Sequence, residues 1–259
     1  MAIRLSRRSS VNAWKAAAAA LLLTLAGCNA SPEDRAQRVL ASMEAQEPIF
    51  ALLREREPDA YGEMRALIEQ SERQGQRLNS LEMIQRVRMI LIRTIMRRTR
   101  TAPDAISQEF ATFVADQAKA LEPHPQVCAD LLFARAGDVE SYISQEMKQR
   151  EQRLYEDLLN APVGAPGEEA SLADAEQLLE ALIAEAPASL GMNENQVAEA
   201  LEGKGPPINI CRFNERLMRH VSQMPTAQSA RMFRLLNRLA NEELQPAARG
   251  QRAGPPAGS

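Results

Sequence analysis

An all-α fold is predicted for this chain by three features of its sequence. Leu, Ala, Glu, Arg, Gln and Met dominate, and these residues lose little freedom on entering a helix. The β-branched and aromatic residues that favour strands are sparse. Apolar residues recur at three- and four-residue spacing between breaks marked by Pro and Gly. Together they predict an irregular multi-helix bundle with a flexible N-terminal tether and a disordered C-terminal tail.

Each element follows from local chemistry. Ser31-Pro32-Glu33-Asp34 offers an N-cap serine, proline at the first helical position and acids in the first turn, so a helix is expected from there to about Gln46. Pro48 and Pro58 bracket a short helical piece carrying Phe50, Leu52 and Leu53. A third helix is predicted from Asp59 to about Gln74, with Met64, Leu67 and Ile68 on one side and Gly75 as its stop. The next, from about Asn79 to Thr101, sets Leu81, Ile84, Val87, Leu91, Ile92 and Ile95 on one broad face, with Met89, Ile90 and Met96 outside it. A helix apolar around so much of its girth is expected at the centre of the bundle.

Thr101-Ala102-Pro103-Asp104 breaks that helix and starts another, with Ile106, Phe110, Phe113 and Val114 as its core side. Pro123-His124-Pro125 reads as a rigid turn. Helices are then expected over about Gln126–Arg135 and Val139–Asn160. The Pro- and Gly-rich stretch that starts at Ala161 is the clearest internal linker, and 161–170 is the one place where the body divides on composition. Ser171 and Asp174 form a capping box with Asp in place of Glu and open an acidic helix to about Ala186. Shorter helices follow near Asn195–Gly203, Asn209–Gln223 and Thr226–Leu244, and residues 246–259, rich in Pro, Gly and Ala, are expected to be disordered. A single helical domain over 32–245 is the expected organisation.

The N-terminus carries a different kind of information. Arg4, Arg7, Arg8 and Lys15 precede any acidic residue, and an apolar run from Ala16 to Leu25 follows. A run of ten residues is too short to cross a hydrocarbon core, which needs about 20. Basic start, short apolar run and small residues describe an export signal. Directly after Leu25-Ala26-Gly27 stands Cys28, and the stretch resembles the lipobox of bacterial lipoproteins. The resemblance covers residues 1–29 only. It implies removal of residues 1–27, a covalent lipid on Cys28 consisting of a diacylglycerol and an N-acyl chain, and a short lipidated tether over 28–31. Asn29 in place of the Asp that retains such proteins at the inner membrane implies the outer membrane of a Gram-negative bacterium, facing the periplasm.

Removing residues 1–27 from 259 leaves 232 residues. It takes four of the 31 basic residues and none of the 34 acidic ones, leaving 27 against 34, a formal charge of −7. An acidic, exported chain is a poor match for nucleic acid. Once Cys28 is acylated only Cys128 and Cys211 remain, and two thiols in an oxidising compartment most simply pair as a disulfide.

The inventory for chemistry is thin, and no catalytic residue and no cofactor is assigned beyond the covalent lipid. There are two histidines, His124 and His220, and no glycine-rich phosphate loop, G-x-S-x-G or H-E-x-x-H motif. Ser144 and Lys148 lie four apart on one helix face, but not at S-x-x-K spacing. The only tryptophan, Trp14, belongs to the signal. Two alternatives stay open: an envelope hydrolase using paired carboxylates, and a zinc site made of His124, Cys128, Cys211 and His220.

One basic pattern stands out. Gln85 to Arg100 holds six arginines and no acid. On a helix, Arg86, Arg93, Arg97 and Arg100 share one stripe, whereas Arg88 and Arg98 fall at the edges of the apolar face. The stripe is the candidate binding face for anionic lipid head groups, a polyanion or an acidic partner, unless acids from Glu168–Glu180 cover it. The expected role is that of a non-catalytic adaptor or envelope-assembly protein, held at the membrane by its lipid and engaging an envelope protein partner.

Overall fold

A computed structural model describes residues 31–75, 81–133, 139 and 141–250, and every regular element among them is a helix. Cys28, Asn29, the signal segment and residues 251–259 lie outside the described residues. In chain order the helices are α1 (Pro32–Gln46), α2 (Pro48–Arg56), α3 (Pro58–Arg73), α4 (Leu81–Thr99), α5 (Asp104–Ala120), α6 (Pro125–Leu132), α7 (Gln145–Asn160), α8 (Leu172–Ser189), α9 (Glu194–Leu201), α10 (Pro207–Gln223) and α11 (Thr226–Gly250). The chain forms two compact units, Met1–Leu91 and Ile92–Ser259, and the boundary between them falls within α4.

In the first unit, α1, α2 and α3 pack on one another. The corners between them are single residues. Glu47, extended, and Glu57, at φ −136° and ψ 59°, each close one helix and cap the next outside the helical region, because proline in the following position disfavours a helical residue before it. Ser31 caps α1 through the predicted box: its hydroxyl accepts the Asp34 N–H, and the Asp34 carboxylate accepts the Ser31 N–H. The start of α1 lies beside the end of α3, where Arg73 pairs with Glu33 and Arg35 with Glu72. At the opposite end Tyr61 donates to Glu44 at 2.6 Å. The two helices therefore run antiparallel around a core of Ala36, Leu40 and Ile68.

In the second unit α5 takes a central place, packing against α7, α10 and α11. The reason is side-chain size. Ser107, Ala111, Ala115 and Ala118 recur at helical spacing on α5 and are buried, and small residues let neighbouring backbones approach closely. Phe110 reaches outward between them, its ring 6.1 Å from Tyr155 on α7 and 6.2 Å from Phe233 on α11. On α4, Val87 and Ile95 are buried as expected, but so is Ile90, while Leu91 and Ile92 are half-buried.

Three other elements depart from expectation. The helix predicted from Val139 begins at Gln145, because the Ser144 hydroxyl accepts the Met147 N–H and makes Ser144 its N-cap. Val139 and Ile143 pack into the core ahead of it. The last helix passes Leu244 and continues through Pro246 to Gly250. The Pro- and Gly-rich stretch 161–170 is held as a strap inside the second unit. The Gly167 N–H donates to the Arg100 carbonyl at 2.8 Å, and the Ala170 N–H to the Arg231 carbonyl at 3.0 Å.

Candidate functional site

The predicted cysteine pair meets. Cys128 on α6 and Cys211 on α10 stand at disulfide distance with their Cα atoms 5.7 Å apart, 83 residues apart in sequence, and each is 1% exposed. Both helices hold these positions through apolar contact with Ala118, Leu121, Val139 and Ile143. The Cys211 sulfur lies 3.3 Å from the Ala118 carbonyl oxygen near the end of α5.

The zinc alternative does not assemble. Both sulfurs are committed to each other, and among the described residues no group of three or more His, Cys, Asp or Glu is placed to hold a metal ion. The His124 ring packs against Tyr142, 4.8 Å between centroids. His220 sits half-buried in the last turn of α10. The Ser144–Lys148 pair dissolves in the same way, since the Ser144 hydroxyl serves as a helix cap.

The arginines of α4 take several roles. Arg86 is exposed on the part of α4 that belongs to the first unit. In the second unit Arg97 is exposed, Arg93 is half-buried, and Arg100 approaches Glu169 at 3.9 Å. Glu169 comes from the acidic stretch expected to cover the stripe, and that stretch reaches Arg100. Arg98, placed by the sequence at the edge of the apolar face, is only 4% exposed. Its Nη2 donates to the carbonyls of Leu158, Leu159 and Ala161 at 3.0, 2.9 and 2.5 Å. A positive charge there satisfies the orphan carbonyls at the end of α7 and suits the negative end of its dipole.

Two further polar centres gave no sequence signal. Arg234 on α11, 3% exposed, donates to the Ala102 carbonyl at 2.6 Å, to the Asp104 carboxylate at 2.6 Å and to the Glu168 carbonyl at 3.2 Å. It ties the start of α5 to the strap. Asp116 on α5 accepts from Arg150 on α7 at 2.6 Å and pairs with Arg219 on α10 at 2.8 Å, joining three helices at one carboxylate. Burial pushes that carboxyl up, but the two guanidinium hydrogen bonds outweigh it and hold it below the usual carboxylate range.

Among the described residues the surface includes open depressions of about 430 and 410 Å³. The first lies between the strap, the start of α8 and the start of α11, and holds Glu169, Asp174 and Arg231. Asp174 is the acid of the α8 capping box, and hydrogen bonds from Ser171 hold its carboxyl low. Glu169 is paired with Arg238 at 2.7 Å. The second, over the disulfide, holds Glu122, whose pairing with Lys119 and Arg212 also lowers it. A general acid for hydrolysis needs a carboxyl raised toward neutrality. Glu33, Asp116, Glu122, Asp174 and Glu185 all move the other way. Asp174 is engaged in a helix cap, and Glu33, Asp116, Glu122 and Glu185 in ion pairs with other helices.

No helix among the described residues is long and apolar enough to cross a membrane. No family model, no curated protein and no solved structure matches the chain.

Proposed function

We propose that this protein is a non-catalytic lipoprotein, anchored by acyl chains on Cys28 in the outer membrane of a Gram-negative bacterium. Its helical body works in the periplasm as an adaptor or envelope-assembly protein. The observation that carries the reading is the Cys128–Cys211 pair. An export signal and a buried disulfide are independent features, and both belong to an oxidising compartment. Carboxylates held ionised by lysine and arginine partners favour a scaffold over an acid–base catalyst. The exposed part of the arginine stripe is the face proposed for an acidic envelope partner, with Arg97 at its centre.

Cross-linking in cells tests the role. A defined envelope protein should be captured by the wild-type chain. Arg93→Glu with Arg97→Glu should abolish the capture while helicity and melting behaviour stay as they are. Capture that survives charge reversal would remove the stripe from the proposal, and failure to capture any envelope protein would remove the adaptor role.

A further inference from the structure

The chain between the lipid site and the first helix is short enough to fix which end of the first unit meets the membrane. Cys28 and Pro32 are separated by four residue steps, and even fully extended these span no more than about 14 Å. The first turn of α1 is thus confined to the headgroup layer or its immediate edge whenever Cys28 carries its lipid. Because α1 and α3 are antiparallel, the end of α3 is confined with it, as the Arg73–Glu33 and Arg35–Glu72 pairs show.

The exposed surface then separates a unit lying along the bilayer from one standing on it. A helix that lies in the interface needs bulky apolar side chains on its outer face. The outer face of α1 consists of Glu33, Asp34, Gln37, Arg38, Ala41, Ala45 and Gln46. That of α3 is equally polar, with Asp59, Glu63, Arg65, Gln70 and Arg73. Neither helix has anything to insert. Charge does not pull the unit down either. The described residues of this end, Ser31 to Arg35 and Glu69 to Gln74, include four carboxylates and two arginines, a net charge of −2.

We infer that the first unit stands end-on on the bilayer, meeting lipid headgroups through the start of α1 and the close of α3. The covalent tether holds it there rather than attraction to anionic lipid. The α2 corner points away from the membrane. This inference rests on the proposed acylation of Cys28.

Gln74 and Asp59 are exposed at the two ends of α3 and lie 15 residues apart, about 22 Å along a helix axis. The full-length acylated protein would be reconstituted in vesicles of phosphatidylethanolamine with a minor fraction of phosphatidylglycerol and a headgroup-nitroxide lipid. A thiol-reactive fluorophore would be placed on Gln74→Cys or Asp59→Cys. With Cys28 acylated and Cys128 paired to Cys211, only the new thiol reacts.

Quenching should be on the order of threefold or more stronger for Gln74→Cys than for Asp59→Cys, given that 22 Å offset. It should not change between low and high salt. Equal quenching at both positions, or the reverse order, in a protein whose mass shows the acyl chains would overturn the end-on arrangement alone. Loss of Gln74→Cys quenching in high salt would overturn the claim that the tether holds the contact. A chain without acyl mass would overturn the lipoprotein reading and this inference with it.

Discussion

The guanidinium of Arg234 occupies the space that a side chain at Gly167 would need. A Cβ built on Gly167 would stand 2.5 Å from the Arg234 Cζ. The guanidinium cannot swing aside cheaply, because it is buried and donates to two carbonyls and the Asp104 carboxylate. Gly167→Ala should therefore destabilise the second unit by about 1–3 kcal/mol in urea unfolding. Gly164, in the same strap, has open space around it, and Gly164→Ala should be neutral or slightly stabilising. Equal effects at the two positions would show that the strap is not packed on Arg234.

Gly203 and Gly191 separate backbone strain from collision. Both have positive φ, 68° and 67°, which costs a side-chain-bearing residue about 1–2 kcal/mol. Only at Gly203 would a Cβ also strike a neighbour, the Phe133 ring at 2.5 Å. Gly203→Ala should thus cost more than Gly191→Ala by about 1 kcal/mol, and the excess should vanish when Phe133→Ala is combined with it. Chemical denaturation of the four variants measures the coupling.

Arg98 should resist even conservative change. Its Nη2 serves three carbonyls at the end of α7, and lysine has neither the planar fork nor the reach to replace it. Arg98→Lys should cost about 2–4 kcal/mol. Amide exchange should quicken in the last turn of α7 before it does so in α8. Uniform quickening across the unit would argue against a local capping role.

Acid should loosen the junction of α5, α7 and α10. The Asp116 carboxyl titrates below its usual range when folded, so its contribution is complete above the unfolded value of about 3.9 and is lost as pH falls through the lower folded value. Asp116→Asn should remove that part of the acid dependence, giving a shallower fall in stability below about pH 4. At neutral pH the loss should be about 1 kcal/mol, modest because the carboxylate is partly solvated. Stability curves from pH 2 to pH 7 for both proteins measure the difference.

The sequence made legible those features whose cause is local. The Ser31 and Ser171 caps, the corners at Pro48 and Pro58, and the breaks before Asp104 and after Asn160 all depend on residues within a turn of one another. The cysteine pairing was legible from the count and from the oxidising compartment that the export-signal resemblance implies. What escaped was set by contacts far apart in the chain. Proline and glycine in 161–170 forbid a helix, but whether such a stretch is a free linker or a packed strap depends on Arg98, Arg231 and Arg234, up to about seventy residues away. Arg98 did leave a trace, since it fell at the edge of the apolar face. The central place of α5 was hidden for a related reason. Its Ser and Ala stripe carries little hydrophobicity, yet it decides how closely other helices approach.

Intact-mass analysis of the native protein from outer-membrane fractions, under non-reducing conditions, tests the lipoprotein reading most directly. The predicted species begins at Cys28, carries the mass of its acyl chains and is two hydrogens lighter for the Cys128–Cys211 bond. A species that begins at Met1, bears no acyl mass and holds two free thiols would contradict it.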